Sequence, residues 1–236
     1  MNREVIHHCV CCKEAPSVLL AQSPFCSECF VNRLEKVFFA EVRKSLSHTF
    51  RKRERKVLVV LDDNTLASQI LKNLTKKSTS ATIKYHYCTF TKDENAPCNG
   101  YTYIASKENT HNSRVEAAKE YAFNNDFSCI LFSHYSVEVA YEILKMITSG
   151  NVAQYIEAFK GDNTISVCYP FYAVSYKSIA FFALYTGILD SPAYIKISER
   201  KEKESQAHGV LIRDLLKNSP ASILNLIRIQ QRMEDA

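Results

Sequence analysis

The chain lacks the hydrophobic segments that would place it in a membrane or direct it out of the cell. None of its apolar runs approaches the roughly 20 residues that a membrane-spanning helix needs. Residues 1–8 contain no apolar stretch of the kind found in a secretory signal. These absences predict a cytoplasmic protein without membrane contact, in a compartment where disulfide scaffolds are rare. The 236 residues, 46% of them hydrophobic, suffice for one sizeable core with appendages or for two small domains.

The chain has nine cysteines, and this odd number argues against a complete set of disulfides. Four of them form two Cys-x-x-Cys pairs, Cys9 with Cys12 and Cys26 with Cys29, while Cys11 is left over. Two residues between thiolates let a tight turn direct both sulfur atoms at one ion, and a second such turn completes a tetrahedral site. We therefore predict a structural Zn²⁺ with no open position for a substrate. Free buried thiols and an iron–sulfur cluster are the alternatives.

A strongly basic stretch follows these cysteines. Residues 43–56 read RKSLSHTFRKRERK and contain a single acid, so their positive charge exceeds the net charge of +5 of the whole chain. Such clusters attract phosphate backbones through the release of counterions. A solvated helix end followed by a linker explains the composition equally well. The candidate nucleic-acid contacts are Arg43, Lys44, Arg51, Lys52, Arg53, Arg55 and Lys56.

The rest of the chain alternates apolar runs with segments of helical periodicity. This order predicts an α/β fold, with a parallel sheet flanked by helices and ligands at the carboxyl ends of its strands. The expected strands are 17–21, 56–61, 82–88, 127–132 and 165–168. The expected helices are 32–50, 65–76, 113–125, 137–148 and 175–186, followed by two final helices, the second at 221–232. Gly150 suits the C-cap of the fourth helix.

The turn after strand 56–61 contains no glycine. It reads Asp62-Asp63-Asn64-Thr65. Turns that bind phosphate need glycines, because bare backbone N–H groups must approach the anion at a helix N-terminus. Two carboxylates at this place would also repel a triphosphate. The turn therefore predicts that ATP does not bind here in the usual mode.

A second candidate site follows strand 127–132, at Ser133-His134-Tyr135. A single histidine at a strand end is more often a hydrogen-bonded structural residue than a catalyst, and the nearest acid, Glu138, need not face it. The remaining cysteines are scattered along the chain: Cys88, Cys98, Cys129 and Cys168. The sequence shows no nucleophile next to a residue that could act as its base.

Taken in order, these features resemble a known group of proteins. The cysteine pairs end in FCSECF at 25–30, residues 129–144 read CILFSHYSVEVAYEIL, and residues 169–185 read YPFYAVSYKSIAFFALY. The chain resembles the cytosolic tRNA 2-thiolation enzymes of the ATP-pyrophosphatase superfamily. More closely, it resembles their non-catalytic partners, the cytoplasmic tRNA 2-thiolation protein 2 family. The resemblance extends from Cys9 to about Arg228.

Departures from the family pattern indicate which subunit the chain resembles. The active subunits carry Ser-Gly-Gly-x-Asp-Ser after the first strand, whereas residues 62–68 here are degenerate and shortened. Their Gly-His-x-x-Asp-Asp appears at 133–138 with only the histidine and one acid retained. Their mid-chain Cys-x-x-Cys has no counterpart. The joint loss implies a pseudoenzyme subunit.

The resemblance implies a specific role and a domain plan. The chain would pair with a catalytic thiolase subunit as a heterodimer, required for the 2-thiolation that forms 5-methoxycarbonylmethyl-2-thiouridine at the wobble position of tRNA Lys, Glu and Gln. Sulfur would arrive on a thiocarboxylated ubiquitin-related modifier, and the basic residues 43–56 would contact tRNA. The expected parts are a four-cysteine zinc module (1–34), a basic helix and linker (35–56), a degenerate ATP-pyrophosphatase-like α/β domain (57–190) and C-terminal helices (191–236).

Two other functions remain open at this stage. One is an active thiolase with an unusual loop. The other is a zinc-bearing RNA- or ribosome-associated interaction module that has lost the thiolation role. The helices 175–186 and 221–232 have broad apolar faces, which serve either to pair with a partner or to close the domain's own core.

Overall fold

The fold is taken from a computed structural model of the whole chain. It describes residues 8–20, 23–47, 54–61, 65–91, 101–106, 110–150, 165–188, 206–219 and 221–235. Within these ranges, no helix combines the length and the hydropathy that crossing a membrane requires.

The first part of the fold is a short hairpin followed by a long helix. Strands β1 (Val18–Leu20) and β2 (Ser23–Phe25) pair antiparallel, and α1 runs over Ser27–Ser45. The sequence-based expectation starts this helix at residue 32, which is wrong. Pro24 is tolerated in β2 because a two-stranded ribbon has free edges. The helix begins earlier because the Cys26 side chain caps it.

The main sheet has five parallel strands in the order β5-β4-β3-β6-β7. The strands are β3 (Arg55–Val60), β4 (Ile83–Thr91), β5 (Thr102–Ala105), β6 (Cys129–Phe132) and β7 (Ser166–Cys168). The predicted α/β class and parallel sheet are therefore confirmed. Strand β5 is absent from the sequence-based expectation, since its four residues form a short edge strand that carries no long apolar run.

Helices cover both faces of this sheet. They are α2 (Leu66–Lys77), α3 (His111–Asn124), α4 (Ser136–Ser149), α5 (Tyr176–Tyr185), α6 (Gln206–Asn218) and α7 (Ala221–Asp235). Strand β3 reads as a continuous apolar run because both of its faces are buried. Val57 and Val59 pack on the side of α1, α2 and α5, whereas Leu58 and Val60 pack on the side of α3.

Helices α4, α6 and α7 form a third apolar cluster. Val139 and Ile143 of α4 pack there with Ile212 of α6 and with Ile223 and Ile227 of α7. Ile179 and Phe182 of α5 are buried in the cluster that contains Val57 and Val59 of β3, so the buried faces of both α5 and α7 pack within the protein's own core. Helix α4 ends at Gly150, whose φ of 73° is left-handed, as expected of a C-cap glycine.

The cysteine-bearing hairpin shares its core with the main sheet. Cys9 and Cys26 belong to the same buried cluster as Val57 of β3 and Phe182 of α5. The Tyr185 hydroxyl donates to the carbonyl oxygen of Ser17 at 3.1 Å and joins α5 to the hairpin. Helix α1 also runs without interruption across the expected boundary at residue 34. The four-part division of the chain stays a prediction.

Candidate metal centre and the carboxyl end of the sheet

The four predicted ligand cysteines come together at one point. The sulfur atoms of Cys9, Cys12, Cys26 and Cys29 all lie within 4.8 Å of one another. Cys12 Sγ is 3.5 Å from Cys26 Sγ and 3.6 Å from Cys29 Sγ. Four thiolates around a zinc ion at about 2.3 Å would be about 3.8 Å apart in a tetrahedron. The donor set therefore fits one metal ion.

Backbone turns hold these sulfur atoms in place. The N–H of Cys11 donates to Cys9 Sγ and the N–H of Cys29 donates to Cys26 Sγ, each at 3.4 Å. The second bond also caps α1, since Cys26 is its N-cap residue. A thiolate at that position lies at the positive end of the helix dipole. Cys11 is exposed and outside the group of four.

The close packing of the thiols shifts their pKa values in opposite directions. Burial raises the pKa of the Cys9 thiol, but backbone N–H groups at Cys26, Cys11 and Cys12 outweigh it and lower the pKa to about 6. The pKa of Cys29 is raised, because the neighbouring Cys26 and Cys12 sulfurs disfavour a second negative charge and burial adds to their effect. A bound cation would relieve this repulsion.

The carboxyl ends of β3 and β6 form the second candidate site, because the strand order reverses between them and ligands bind at such points in open α/β sheets. Residues 62–64, the predicted anion-repelling turn, lie outside the described ranges. Beyond them, three hydroxyls form a chain. Thr65 Oγ1 donates to Ser68 Oγ at 2.9 Å, and Ser68 Oγ lies 2.9 Å from Ser133 Oγ. Thr65 Oγ1 also accepts the N–H of Ser68.

The first turn of α2 is closed to solvent. Leu66, Ala67 and Ser68 are each only 3% exposed. The two apolar residues belong to the buried cluster that also contains Val174 and Ile179. A phosphate at a helix N-terminus contacts the N–H groups of this first turn. In this conformation those groups are covered, and the N–H of Ser68 already has a partner.

His134 lies in a cluster of rings at the carboxyl ends of β6 and β7. Its ring centroid is 4.4 Å from that of His111, the first residue of α3. His111 Nε2 is 2.9 Å from the hydroxyl of Tyr169, whose ring stacks on Phe132. Within the described ranges, His134 Nδ1 is buried without a hydrogen-bond partner. Glu138 instead accepts the N–H of Tyr135 and completes a capping box on α4.

His111 is strongly disfavoured in its protonated form. Burial lowers its pKa well below the usual 6.5, and the charges of His134, Arg114 and Lys145 lower it further. Tyr169 supplies a hydroxyl but no negative charge to offset them. His111 is therefore uncharged at neutral pH.

The predicted nucleic-acid contacts are only partly described. Arg43 and Lys44 are exposed in the last turn of α1. Arg55 and Lys56 open β3, where Lys56 Nζ donates to the carbonyl oxygen of Asn125 at 3.4 Å. Arg51, Lys52 and Arg53 lie outside the described ranges. The assignment of these seven residues to RNA contact stays a prediction.

The remaining cysteines are structural where the fold describes them. Cys88, Cys129 and Cys168 are buried and form no disulfide with one another, and Cys98 is outside the described ranges. Burial raises the pKa of Cys129 well above 9.0 and that of Cys168 to about 12. Such thiols behave as small apolar side chains.

Sequence reasoning misses two features of the surface and the strand ends. It does not pair His134 with His111 or Tyr169, because only the strand order brings these distant positions together. It also does not identify Lys72 of α2, whose ammonium lies 4.9 Å from the ring centroid of Tyr101. The one signal in the sequence is that residues 66–77 contain three lysines and no acid.

Comparison with known proteins gives a similarity of fold. No protein-family model matches the sequence, and no curated protein does. Among solved structures, the chain is similar to the U34-tRNA thiolase NcsA from Methanococcus maripaludis with its [4Fe-4S] cluster. The TM-score is 0.72 with 14% sequence identity, over 98% of this chain and 88% of the thiolase chain.

A second solved structure matches more loosely. It is the NH3-dependent NAD synthetase from Campylobacter jejuni subsp. jejuni NCTC 11168 in complex with the nitrate ion, with a TM-score of 0.43 and 11% identity over 89% of this chain and 93% of that chain. The first comparison establishes that this chain shares an α/β fold with that thiolase. In this chain a cluster of four cysteines precedes the sheet.

Proposed function

We propose that this chain is the non-catalytic subunit of a heterodimeric tRNA thiolase. It is required for the 2-thiolation that forms 5-methoxycarbonylmethyl-2-thiouridine at the wobble position of tRNA Lys, Glu and Gln. A catalytic thiolase subunit supplies the chemistry, and a thiocarboxylated ubiquitin-related modifier delivers sulfur to the complex. The observation that carries the proposal is a thiolase-like fold in which the first turn of α2 is buried.

The buried turn argues for a subunit without its own ATP chemistry. In an α/β sheet of this kind, a nucleotide phosphate would approach the N-terminus of the helix that follows the central strand. Here Leu66 and Ala67 occupy that turn as part of the core, and Ser68 is bonded to Thr65 and Ser133. The acidic residues Asp62 and Asp63 precede it in sequence. Each of these features disfavours a bound triphosphate.

The four cysteines bind one structural zinc ion in this proposal. Thiolates that hold a [4Fe-4S] cluster bind different iron atoms, so the body of the cluster separates them. The sulfur pairs at 3.5 and 3.6 Å here are almost in contact and leave room for a single ion. With four protein ligands the ion has no open position, so it stabilises the fold and takes no part in thiolation.

The proposed subunit contributes tRNA contacts and a surface for its partner. The basic residues from Arg43 to Lys56 are assigned to the phosphate backbone of tRNA. Arg43 and Lys44 are exposed and so are accessible for this contact. The complex works in the cytoplasm in this proposal.

Reconstituted thiolation tests the function. The tagged chain is purified from its host, and the catalytic subunit is identified among the proteins that copurify. A tRNA Lys transcript is then incubated with Mg²⁺-ATP, the sulfur donor and either protein alone or both together, and thiolated tRNA is resolved on a gel that retains thiocarbonyl groups. We expect product only when both proteins are present.

The Cys11→Ser variant is the matched control, because Cys11 lies in the cysteine cluster but outside the group of four. It should support thiolation as the unaltered chain does. Equal product with and without this chain would contradict the proposal. Copurification with ribosomal proteins and no thiolase would favour an RNA- or ribosome-associated module instead.

A further inference from the structure

Helix α2 presents a polar stripe that carries positive charge only. Its buried side consists of apolar residues and two hydroxyls, Ser68 and Thr75. The opposite side runs along the helix at i, i+3, i+4 and i+7 and consists of Gln69, Lys72, Asn73 and Lys76, of which Lys76 is exposed and the other three are half-buried. The Oδ1 atom of Asn73 is buried. The helix contains no aspartate or glutamate that could offset its lysines.

Lys72 is held in place without losing its charge. Its ammonium donates to the hydroxyl of Tyr101 and lies 4.9 Å from the centroid of the same ring. Neither a hydroxyl nor an aromatic ring carries a compensating negative charge, although a ring face attracts a cation. The tyrosine therefore orders the flexible lysine side chain, which reduces the entropy that an anionic partner would have to remove on binding.

Lys77 on the same helix differs from Lys72 and Lys76. Its Nζ lies 3.1 Å from Glu35 Oε1, so its charge is matched by a carboxylate of α1. Lys76 is exposed and makes no ion pair among the described residues. Among the residues that the structure describes, helix α2 thus carries two cations without an ion pair, about one turn apart, and one paired cation beside them.

We propose that Gln69, Lys72, Asn73 and Lys76, together with Tyr101, form an RNA-binding surface that contacts the phosphate backbone of tRNA. This inference rests on the proposed tRNA function and adds a second contact surface to the basic residues 43–56. Lysine side chains with side-chain amides beside them, and no carboxylate among them, suit a phosphate ligand, because phosphate oxygens accept hydrogen bonds from both groups. Lys72 and Lys76 are four residues apart, a rise of about 6 Å along the helix, so both cations lie on the same side of α2.

The test compares two kinds of lysine on one helix. Binding of the full chain to a fluorescent tRNA Lys transcript is measured at several salt concentrations. The Lys72→Gln/Lys76→Gln variant should bind at least about fivefold more weakly, and the slope of log K against log salt should fall by about 2, since each lost phosphate contact removes about one unit. Lys77→Gln, which removes one exposed but paired charge, should change affinity less than about twofold.

The outcomes separate this inference from the proposed function. If the unaltered chain binds tRNA and the double variant binds equally well, the α2 surface is wrong while the tRNA role stands. If Lys77→Gln weakens binding as much as either single variant at Lys72 or Lys76, only the overall charge matters and the surface is again wrong. If the unaltered chain does not bind tRNA at all, the tRNA contacts fail in both proposals. Thermal melting of each variant verifies that it is folded.

Discussion

Cys26 has two tasks that a substitution can separate. Its sulfur is one of the four candidate ligands, and it also accepts the N–H of Cys29 as the N-cap of α1. Serine preserves the cap, because its hydroxyl accepts the same bond, but it is a poor zinc ligand. The difference between Cys26→Ser and the unaltered chain therefore measures the metal and not the cap.

We expect purified Cys26→Ser to lose most of its bound zinc and to melt about 5 °C lower or more, since zinc ligation contributes folding free energy and each kcal/mol shifts the midpoint by about 2–4 °C at this size. Elemental analysis and thermal melting measure the two effects. Cys11→Ser, with the thiol that lies outside the group of four, should keep its metal and its melting temperature. Iron in place of zinc in the unaltered chain, or no metal at all, would contradict the assignment.

His111 gives stability a defined dependence on pH. Its pKa in the fold is well below 6.5, so the folded state binds fewer protons than the unfolded chain as pH falls through 6.5. Stability is fully present above about pH 7 and declines below it, at up to about 1.4 kcal/mol per pH unit for this one group. The charged and polar groups that face it, His134, Arg114, Lys145 and Tyr169, do not reverse the sign.

Urea unfolding from about pH 8 to about pH 5.5 measures this effect as a difference between variants. His111→Gln keeps a donor and acceptor near Tyr169 but cannot titrate, so its stability should fall less steeply as the pH becomes acidic. His208→Gln, on α6, should retain the steeper fall of the unaltered chain. Identical pH profiles for His111→Gln and the unaltered chain would show that the ring pair does not carry the effect.

At the scale of elements, alanine substitutions at two glycines compare the end of one helix with a position inside another. Gly150 caps α4 with φ of 73°, and Gly209 lies within α6, yet an added Cβ would meet nothing within 4 Å at either position. An added methyl group therefore meets no neighbouring atom at either position, and the two positions differ only in backbone conformation. Gly150→Ala should destabilise the fold by about 1 kcal/mol, while Gly209→Ala should stabilise it by about 0.5–1 kcal/mol.

Chemical denaturation with both variants measures these opposite signs. Gly150→Asn should cost less than Gly150→Ala, because asparagine adopts the left-handed conformation more readily. If both alanine variants changed stability in the same direction, the C-cap assignment of Gly150 would be incorrect.

The accuracy of sequence reasoning differs between elements for physical reasons. Buried strands such as β3 are recognisable because covering both faces demands a continuous apolar run. Strand β5 is not, since its short edge position tolerates Thr102 and Tyr103. Helix α1 begins before its apolar periodicity is apparent, because its cap is the candidate metal ligand Cys26.

The candidate sites also differ in how well the sequence predicts them. The cysteine cluster is predictable because two Cys-x-x-Cys pairs determine their own local geometry. The contact of His134 with His111 and Tyr169 is not, because it depends on which strands are neighbours and not on spacing along the chain. The contact of Lys72 with Tyr101 also joins residues 29 positions apart, so spacing along the chain does not predict it.

At the scale of the whole molecule, the cysteine cluster and the sheet form one structural body. Cys9 and Cys26 share a buried cluster with β3 and α5, and Tyr185 of α5 bonds to Ser17 beside the hairpin. Metal binding would therefore stabilise the face of the sheet that α1, α2 and α5 cover. The same packing buries the first turn of α2.

The most direct test of the account is pyrophosphate release from Mg²⁺-ATP by the isolated zinc-loaded chain, with and without tRNA Lys. The account predicts no release above background in either condition, and release only when the catalytic partner is added. ATP turnover by the isolated chain, abolished by a substitution in the turn at 62–65, would contradict it and identify the chain as an active enzyme.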